Sequence, residues 1–577
     1  MTDPVSNNLT TEQTQPTQAP GNHTDQKNIA RVGTVSIGSL SAMALAACGD
    51  GGETAQSPNP GPAPVPAPVP PTDQQVSRLL GQAAFGATDD SIAQVHRLGM
   101  ADWLEQQFVM TGNGTRWSWL TRKGFMNDAF RMGINGADQC LWYKAITSPD
   151  VVRQRMALAL SEIFVINQRS LNGAGGYRNF ACGHYMDMLE SHAFGNYREL
   201  LEDVTLSVQM GCYLSMRGSQ KANATGRAPD ENYAREVLQL FSIGLYELNA
   251  DGTQKLDSSG NPIETYVQED VIGLARAFTG WDTDGYVATS AEHWRRPMKF
   301  FPQHHEPGEK RFLGITIAPD TDGQECMQRA LDTIANHPNV APFFSKQLIQ
   351  RFITSNPSPA FVGRVSAVFD NDGEGVRGNL RAVVRAILLD PEARNDENVL
   401  SNSFGKVREP MIRFIQWART FNAKDPTDQW NIRDMSNGAL YLGQSPLRAI
   451  SVFNFFRPGF TPSNTQLGDV GMVAPELQIT SETTVAGYAN LMQSVIRNGF
   501  AGVEADYATE LSLVDSPTAL VLRIDTLLTA NQLTQGTFDT ILAVVESMRN
   551  ETPTDKLHRV YAAILLVMTA PDYVVQK

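Results

Sequence analysis

The chain has few of the features that would announce a particular chemistry. Its five cysteines, Cys48, Cys140, Cys182, Cys212 and Cys326, never fall at CxxC spacing, which removes zinc-ribbon and thioredoxin-like motifs. With Cys48 set aside, the other four suffice for two disulfides and equally for buried thiols; Cys182 with Cys212 is one pairing among several. Basic residues are outnumbered, 47 Lys and Arg against 61 Asp and Glu, for a formal charge of -14. Without a basic run to track phosphates, nucleic-acid binding is excluded. No HExxH pair, GxSxG elbow or phosphate-cradling glycine loop occurs, so no metalloprotease, α/β-hydrolase or nucleotide-binding class is indicated. Asp370-Asn371-Asp372-Gly373-Glu374-Gly375 has Arg381 at the twelfth position in place of Glu, and the Asn249/Asp251 loop fails the same test. Both are rejected as EF-hands.

What is present begins with an address. Residues 1–26 are polar and suit a disordered leader. Residues 27–48 place Lys27 and Arg31 before a short apolar run ending in Leu45-Ala46-Ala47-Cys48, the layout of an export signal and too short for a comfortable membrane span. No twin-arginine pair stands in this leader. Leu-Ala-Ala-Cys resembles the bacterial lipobox, whose cysteine is lipidated; an ordinary signal peptide is the alternative. Residues 49–71, GDGGETAQSPNPGPAPVPAPVPP, favour an extended polyproline tether. An acylated Cys48 followed by such a spacer implies a cell-envelope protein, anchored in the periplasm or at the outer surface.

The body, 72–577, shows helical periodicity and scarce strand alternation. The expected fold is a mostly α, multi-helix globular body, in one piece or two helical subdomains, with a few short β-hairpins. Thr88 reads as an N-cap, and Pro149-Asp150 as the start of a helix over 151–168. Between Asn232 and Trp281 the pattern is helix, hairpin, helix. Ala234, Val237, Leu238, Phe241 and Leu245 form one apolar stripe, and Val271, Leu274, Ala275 and Phe278 another. Asp251-Gly252 and Ser259-Gly260-Asn261 supply the turns between them.

Several blocks resemble the bacterial domain-of-unknown-function 1800 family: Arg78 to Phe108, Arg153 to Val165, Ala193 to Arg198, Asn232 to Trp281, His305 to Lys310, Thr354 to Pro359, and Ser451 to Phe455. They run in order over roughly 72–577. The resemblance implies an exported, mostly helical protein without an assigned activity. It also implies an exported alkaline-phosphatase-like protein as a candidate partner, by gene association. The chain departs from the family where Ser207-Val208-Gln209-Met210 replaces His-Pro-Ala-Met, where His305-Glu306 replaces His-Asp, and where Val267 replaces a capping Thr. Thr265 is the nearest substitute cap.

Candidate chemistry concentrates on one wall and one loop. Glu236, flanked by apolar positions, suits a general acid or base if burial raises its pKa. Arg235, four residues after Glu231, reads as a surface pair or as an anion-binding group. Arg276 and Lys310 are candidate substrate-binding cations, and Trp281 is a core anchor or a sugar platform. His305, on a Pro/Gly-rich loop, is the first choice for a general base or a metal ligand, with Glu306 beside it as a second candidate catalytic group. His184, Asp187 and His192 read instead as a polar helix face. The residues point to no metal or cofactor in particular. Two functions are therefore carried forward: an envelope binding or assembly lipoprotein, and an envelope hydrolase or lyase acting on a glycan. The second requires Arg235, Glu236, Arg276 and His305 to meet in one cleft.

Overall fold

A computed structural model describes residues 70–171 and 175–577; the leader, the signal segment with Cys48 and nearly all of the tether lie outside the described residues. The helix starts follow from the sequence. Thr72, Thr88, Ser481 and Thr552 each accept from the backbone N–H three residues on, while Gln75, Ser91, Thr484 and Asp555 reach back. This reciprocal bonding satisfies amides that a helix leaves open at its first turn. Pro410 and Pro517 begin two others, and Pro553 follows the Thr552 cap, at positions where a missing N–H costs nothing.

Among the described residues there are 25 α-helices. Strand is limited to three two-stranded antiparallel pairs. The expected mostly α body with short hairpins is what forms. No described helix is long and apolar enough to cross a membrane.

The described residues pack as one unit. The helix Asp73–Ala83 packs against both Val151–Ser161 and Pro517–Thr529, and the last strand, Val575–Gln576, pairs with Lys406–Val407. Both ends of the body are thereby tied into one hydrophobic core, which runs from Val76 to Tyr573. Burying each large apolar side chain in it contributes about 1.5–3 kcal/mol. The four described cysteines are free thiols, so the disulfide alternative falls. Burial pushes Cys212 up to about 11 and Cys182 up to about 12, which makes them poor nucleophiles.

Four local expectations need correction. The helix beginning at Val151 ends at Ser161, not at 168. The α-helix Asn232–Glu236 gives way to a π-helical turn, Val237–Ser242, in which Ser242 Oγ donates to the Val237 carbonyl. Gly244 then takes φ +71° and ends the element, leaving Leu245 exposed rather than on the buried stripe. Finally, Thr265 does not cap the next helix; its hydroxyl donates to the Gly244 carbonyl, and Asp270 accepts from the Val267 N–H instead.

Candidate functional site

The two ends of the Asn232–Trp281 stretch meet at the helix Gln268–Ala277, which packs on Asn232–Glu236 and also on the strand Lys310–Phe312. Gly273 permits the second contact, because a Cβ there would lie 1.7 Å from the Arg311 carbonyl oxygen. Val271, Leu274, Ala275 and Phe278 are buried as the periodicity predicts. This helix, which carries Arg276, is therefore packed on both the Arg235/Glu236 segment and the strand of Lys310.

Arg235 and His305 are engaged by neighbouring groups, whereas the side chains of Glu236 and Arg276 make no hydrogen bond or ion pair among the described residues. Arg235 donates to the Glu231 carboxylate at 3.1 Å and to Gln268 Oε1 at 2.9 Å, an exposed i,i+4 pair. Glu236 is 9% exposed, with Oε2 lacking a partner. Burial raises its pKa, and the Arg235 charge only partly offsets this. His305 is 7% exposed; its Nδ1 lies 2.9 Å from the Thr279 carbonyl oxygen, and the ring meets Phe300 edge-on. Burial lowers its pKa against the opposing pull of that carbonyl. The geometry is that of a neutral imidazole donating from Nδ1.

The neighbouring side chains hold loops. The Glu306 N–H donates to Thr279 Oγ1 at 2.9 Å, and its carboxylate accepts from the N–H groups of Ala222 and Gly308. Lys310 is fully buried and donates to the Gly308 carbonyl at 3.0 Å. Trp281 is buried against Phe300, as a core anchor would be. Arg276 is exposed. No hydrogen bond, ion pair or ring contact among the described residues joins Glu236 to His305, and none of these seven residues lines the cavities described next.

An open cleft of about 630 Å³ lies on the other side of the hairpin. Leu245, Tyr246 and Leu248 form one lip, and Phe343, Lys346 and Gln347 of the helix Val340–Phe352 form the floor. The Asn356–Pro359 turn and Pro458–Gly459 close it. The hairpin is clamped to this floor by Asn339, whose Nδ2 donates to the Ile243 and Tyr246 carbonyls while Oδ1 accepts from Leu248 N–H. Leu245 was expected in the core; ending the helix at Gly244 turns it into cleft lining. A smaller inner cavity, about 10 Å³, shares Gln347, Gln350 and Pro458 with the cleft and reaches Arg351 and Glu476. That is room for about one water molecule.

Behind the inner cavity lies a charge cluster that sequence reading missed. Glu162, Glu409 and Glu476 and the cations Arg155, Arg351 and Lys406 are all buried. Arg351 pairs with Glu162 at 3.2 Å; Lys406 lies 3.1 Å from Glu476 and 3.6 Å from Glu409. Gln444 donates to Glu409 at 2.6 Å, and Arg155 donates to the Arg351 carbonyl while lying over the Phe352 ring. Burial and the Glu409 charge raise Glu162 far above the carboxylate range. Burial also opposes ionisation of Glu409, but the charges of Lys406, Arg351 and Arg155 outweigh it and hold Glu409 low. Of the two carboxyls, Glu162 is thus the one favoured in its neutral form and Glu409 the one favoured as the ion. The available signal was a glutamate inside the apolar run Ala157–Ile166. Its partners lie far away in sequence, and no local spacing connects them.

A third feature concerns Ser207 and Gln209, where the family motif is broken. Both line a separate cleft of about 470 Å³ with Trp117, His184 and Arg295. Asp187, on that wall, accepts from Arg116, and His192 pairs with Asp203.

The architecture defines a large helical body with an open cleft over a buried ionic cluster. A family model described as "Protein of unknown function (DUF1800)" matches residues 78–575, and the chain belongs to that family. No curated protein matches the chain, and no solved structure does.

Proposed function

We propose that the protein is an envelope-tethered binding protein that takes its ligand in the cleft between the hairpin and the helix Val340–Phe352. One observation carries the reading: this cleft combines aromatic and apolar walls with polar side chains that have no partner, Lys346 and Gln347. Concave, mainly apolar sites with a few convergent polar groups are the usual form of ligand sites. The lipobox-like Leu45-Ala46-Ala47-Cys48 and the Pro-rich spacer support lipid anchoring and export. The envelope-glycan hydrolase or lyase reading, with His305, Glu306, Glu236 and Arg235, gains no support from geometry. No contact among the described residues joins Glu236 to His305, and Arg235, His305 and Glu306 are each held by other partners. An exported alkaline-phosphatase-like partner stays a candidate occupant by association.

The test has two arms on the full-length chain. Palmitate should label the wild type in cells, and Cys48→Ser should abolish the label and release the protein from membranes; an unlabelled wild type contradicts the anchor. Solubilised envelope material should slow hydrogen exchange at 244–254 and 343–359 and leave 305–310 unchanged. Protection at His305 instead, with glycan turnover lost in His305→Asn, would favour the enzyme.

A further inference from the structure

The chemistry of the cleft narrows its occupant, a step that rests on the binding reading above. Lys346 is partly buried and makes no ion pair or hydrogen bond among the described residues. Burial alone acts on its ammonium, lowering its pKa. Next to it, Gln347 is 8% exposed, and its Nε2 has no acceptor. A buried donor left unpaired is costly, so an acceptor supplied by a ligand would be favoured here.

Charge limits that acceptor. The chain carries -14 overall, and Asp251 on the lip is held ionised by the hydroxyl and N–H of Thr253. A polyanion would be repelled. A single ammonium within an apolar cleft matches a single carboxylate on an apolar body. The cleft volume of about 630 Å³ fits a short segment rather than a folded surface. Its apolar walls are interrupted by Thr253, Gln254 and Ser355. That alternation suits an extended peptide, whose amides recur between side chains, better than an unbroken acyl chain.

We infer that the cleft captures the C-terminal end of an extended apolar peptide. Lys346 Nζ and Gln347 Nε2 donate to the terminal carboxylate, and Tyr246 and Phe343 pack on the last side chains. No covalent bond changes.

Equilibrium dialysis of the full-length protein tests this with a pool of pentapeptides, apolar at their last three positions, as free acids and as C-terminal amides, with decanoate as a third probe. The acids should be retained about tenfold better than the amides. Lys346→Met should erase the difference, and Arg235→Ala should preserve it. Lys346→Met removes a charge that has no partner, so its melting temperature should match or exceed the wild type, which separates lost binding from lost folding. Equal retention of acids and amides, or a preference that survives Lys346→Met, overturns the inference. Lys346-dependent retention of decanoate without any peptide overturns the peptide and keeps the cleft. Retention of no probe overturns both.

Discussion

The wall carrying Arg235, Glu236 and His305 and the cluster around Glu162 and Glu409 are both rich in charge, but they are built on opposite plans. On the wall, the only ion pair among the described residues, Arg235 with Glu231, is local, as are the bonds of Glu306 and Lys310 to Gly308. Arg235 to Gln268, His305 to Thr279 and Glu306 to Ala222 are neutral-partner bonds between separate elements. In the cluster, Glu162, Arg351, Lys406 and Glu476 come from four distant segments. Local pairs can form before the fold does and contribute little to it. Distant buried pairs exist only in the finished fold, and losing one partner strands the others in a medium that does not solvate them. Conspicuous local charge is therefore a weak guide to where this molecule concentrates its electrostatic consequence.

Removing a cluster member should produce the largest effect. Glu409→Ala removes the carboxylate charge that faces Lys406 and Arg351, leaving Lys406 with Glu476 alone, and should cost about 3–5 kcal/mol in urea unfolding at pH 7. A loss below about 1 kcal/mol would mean the cluster behaves like surface charge and would erase the contrast.

Smaller effects are expected on the wall. Gly273→Ala forces the helix Gln268–Ala277 off the Arg311 backbone and should cost about 1–3 kcal/mol, while leaving peptide retention in the cleft intact. His305→Asn should cost about 1 kcal/mol through the bond to Thr279. Because burial lowers the His305 pKa, the unfolded chain takes up its proton first as pH falls below about 6.5. Wild-type stability therefore drops on acidification through that window, and its margin over His305→Asn should narrow from pH 7 to pH 5. His184 and His337, also lowered by burial, are common to both proteins and cancel. A margin that widens has the wrong sign for a buried neutral imidazole. Arg235→Ala should stay within about 0.5 kcal/mol, and a larger loss would show that the exposed pair does more than its geometry allows.

The same contrast explains what was legible in the sequence. Caps such as Thr88, the stripe through Val237, Leu238 and Phe241, and the Asp251-Gly252 turn depend on neighbours within a few residues, so periodicity and turn chemistry found them. Trp281 as a core anchor was legible for the same reason. The π-helical turn after Glu236 was hidden, because nothing in Val237–Ser242 departs from α-helical composition. The ending of that element at Gly244 moved Leu245 from the core to the lip of the cleft. His305 looked available on a Pro/Gly-rich loop, but the loop folds inward onto Thr279. The cleft and the cluster depend on contacts between segments far apart in the chain, such as Glu162 with Arg351 and Lys406 with Glu476, which no short window contains.

The sharpest distinction within the cluster is that Glu162 is favoured neutral and Glu409 ionised. Glutamine mimics a protonated carboxyl, so Glu162→Gln replaces what is already neutral, whereas Glu409→Gln removes the ion that balances Lys406 and Arg351. Urea unfolding of the two variants side by side at pH 7 should show Glu162→Gln within about 1 kcal/mol of wild type and Glu409→Gln destabilised by about 3 kcal/mol or more. Equal losses, or the reverse order, would contradict the assignment of the proton to Glu162 and with it the description of the cluster beneath the cleft.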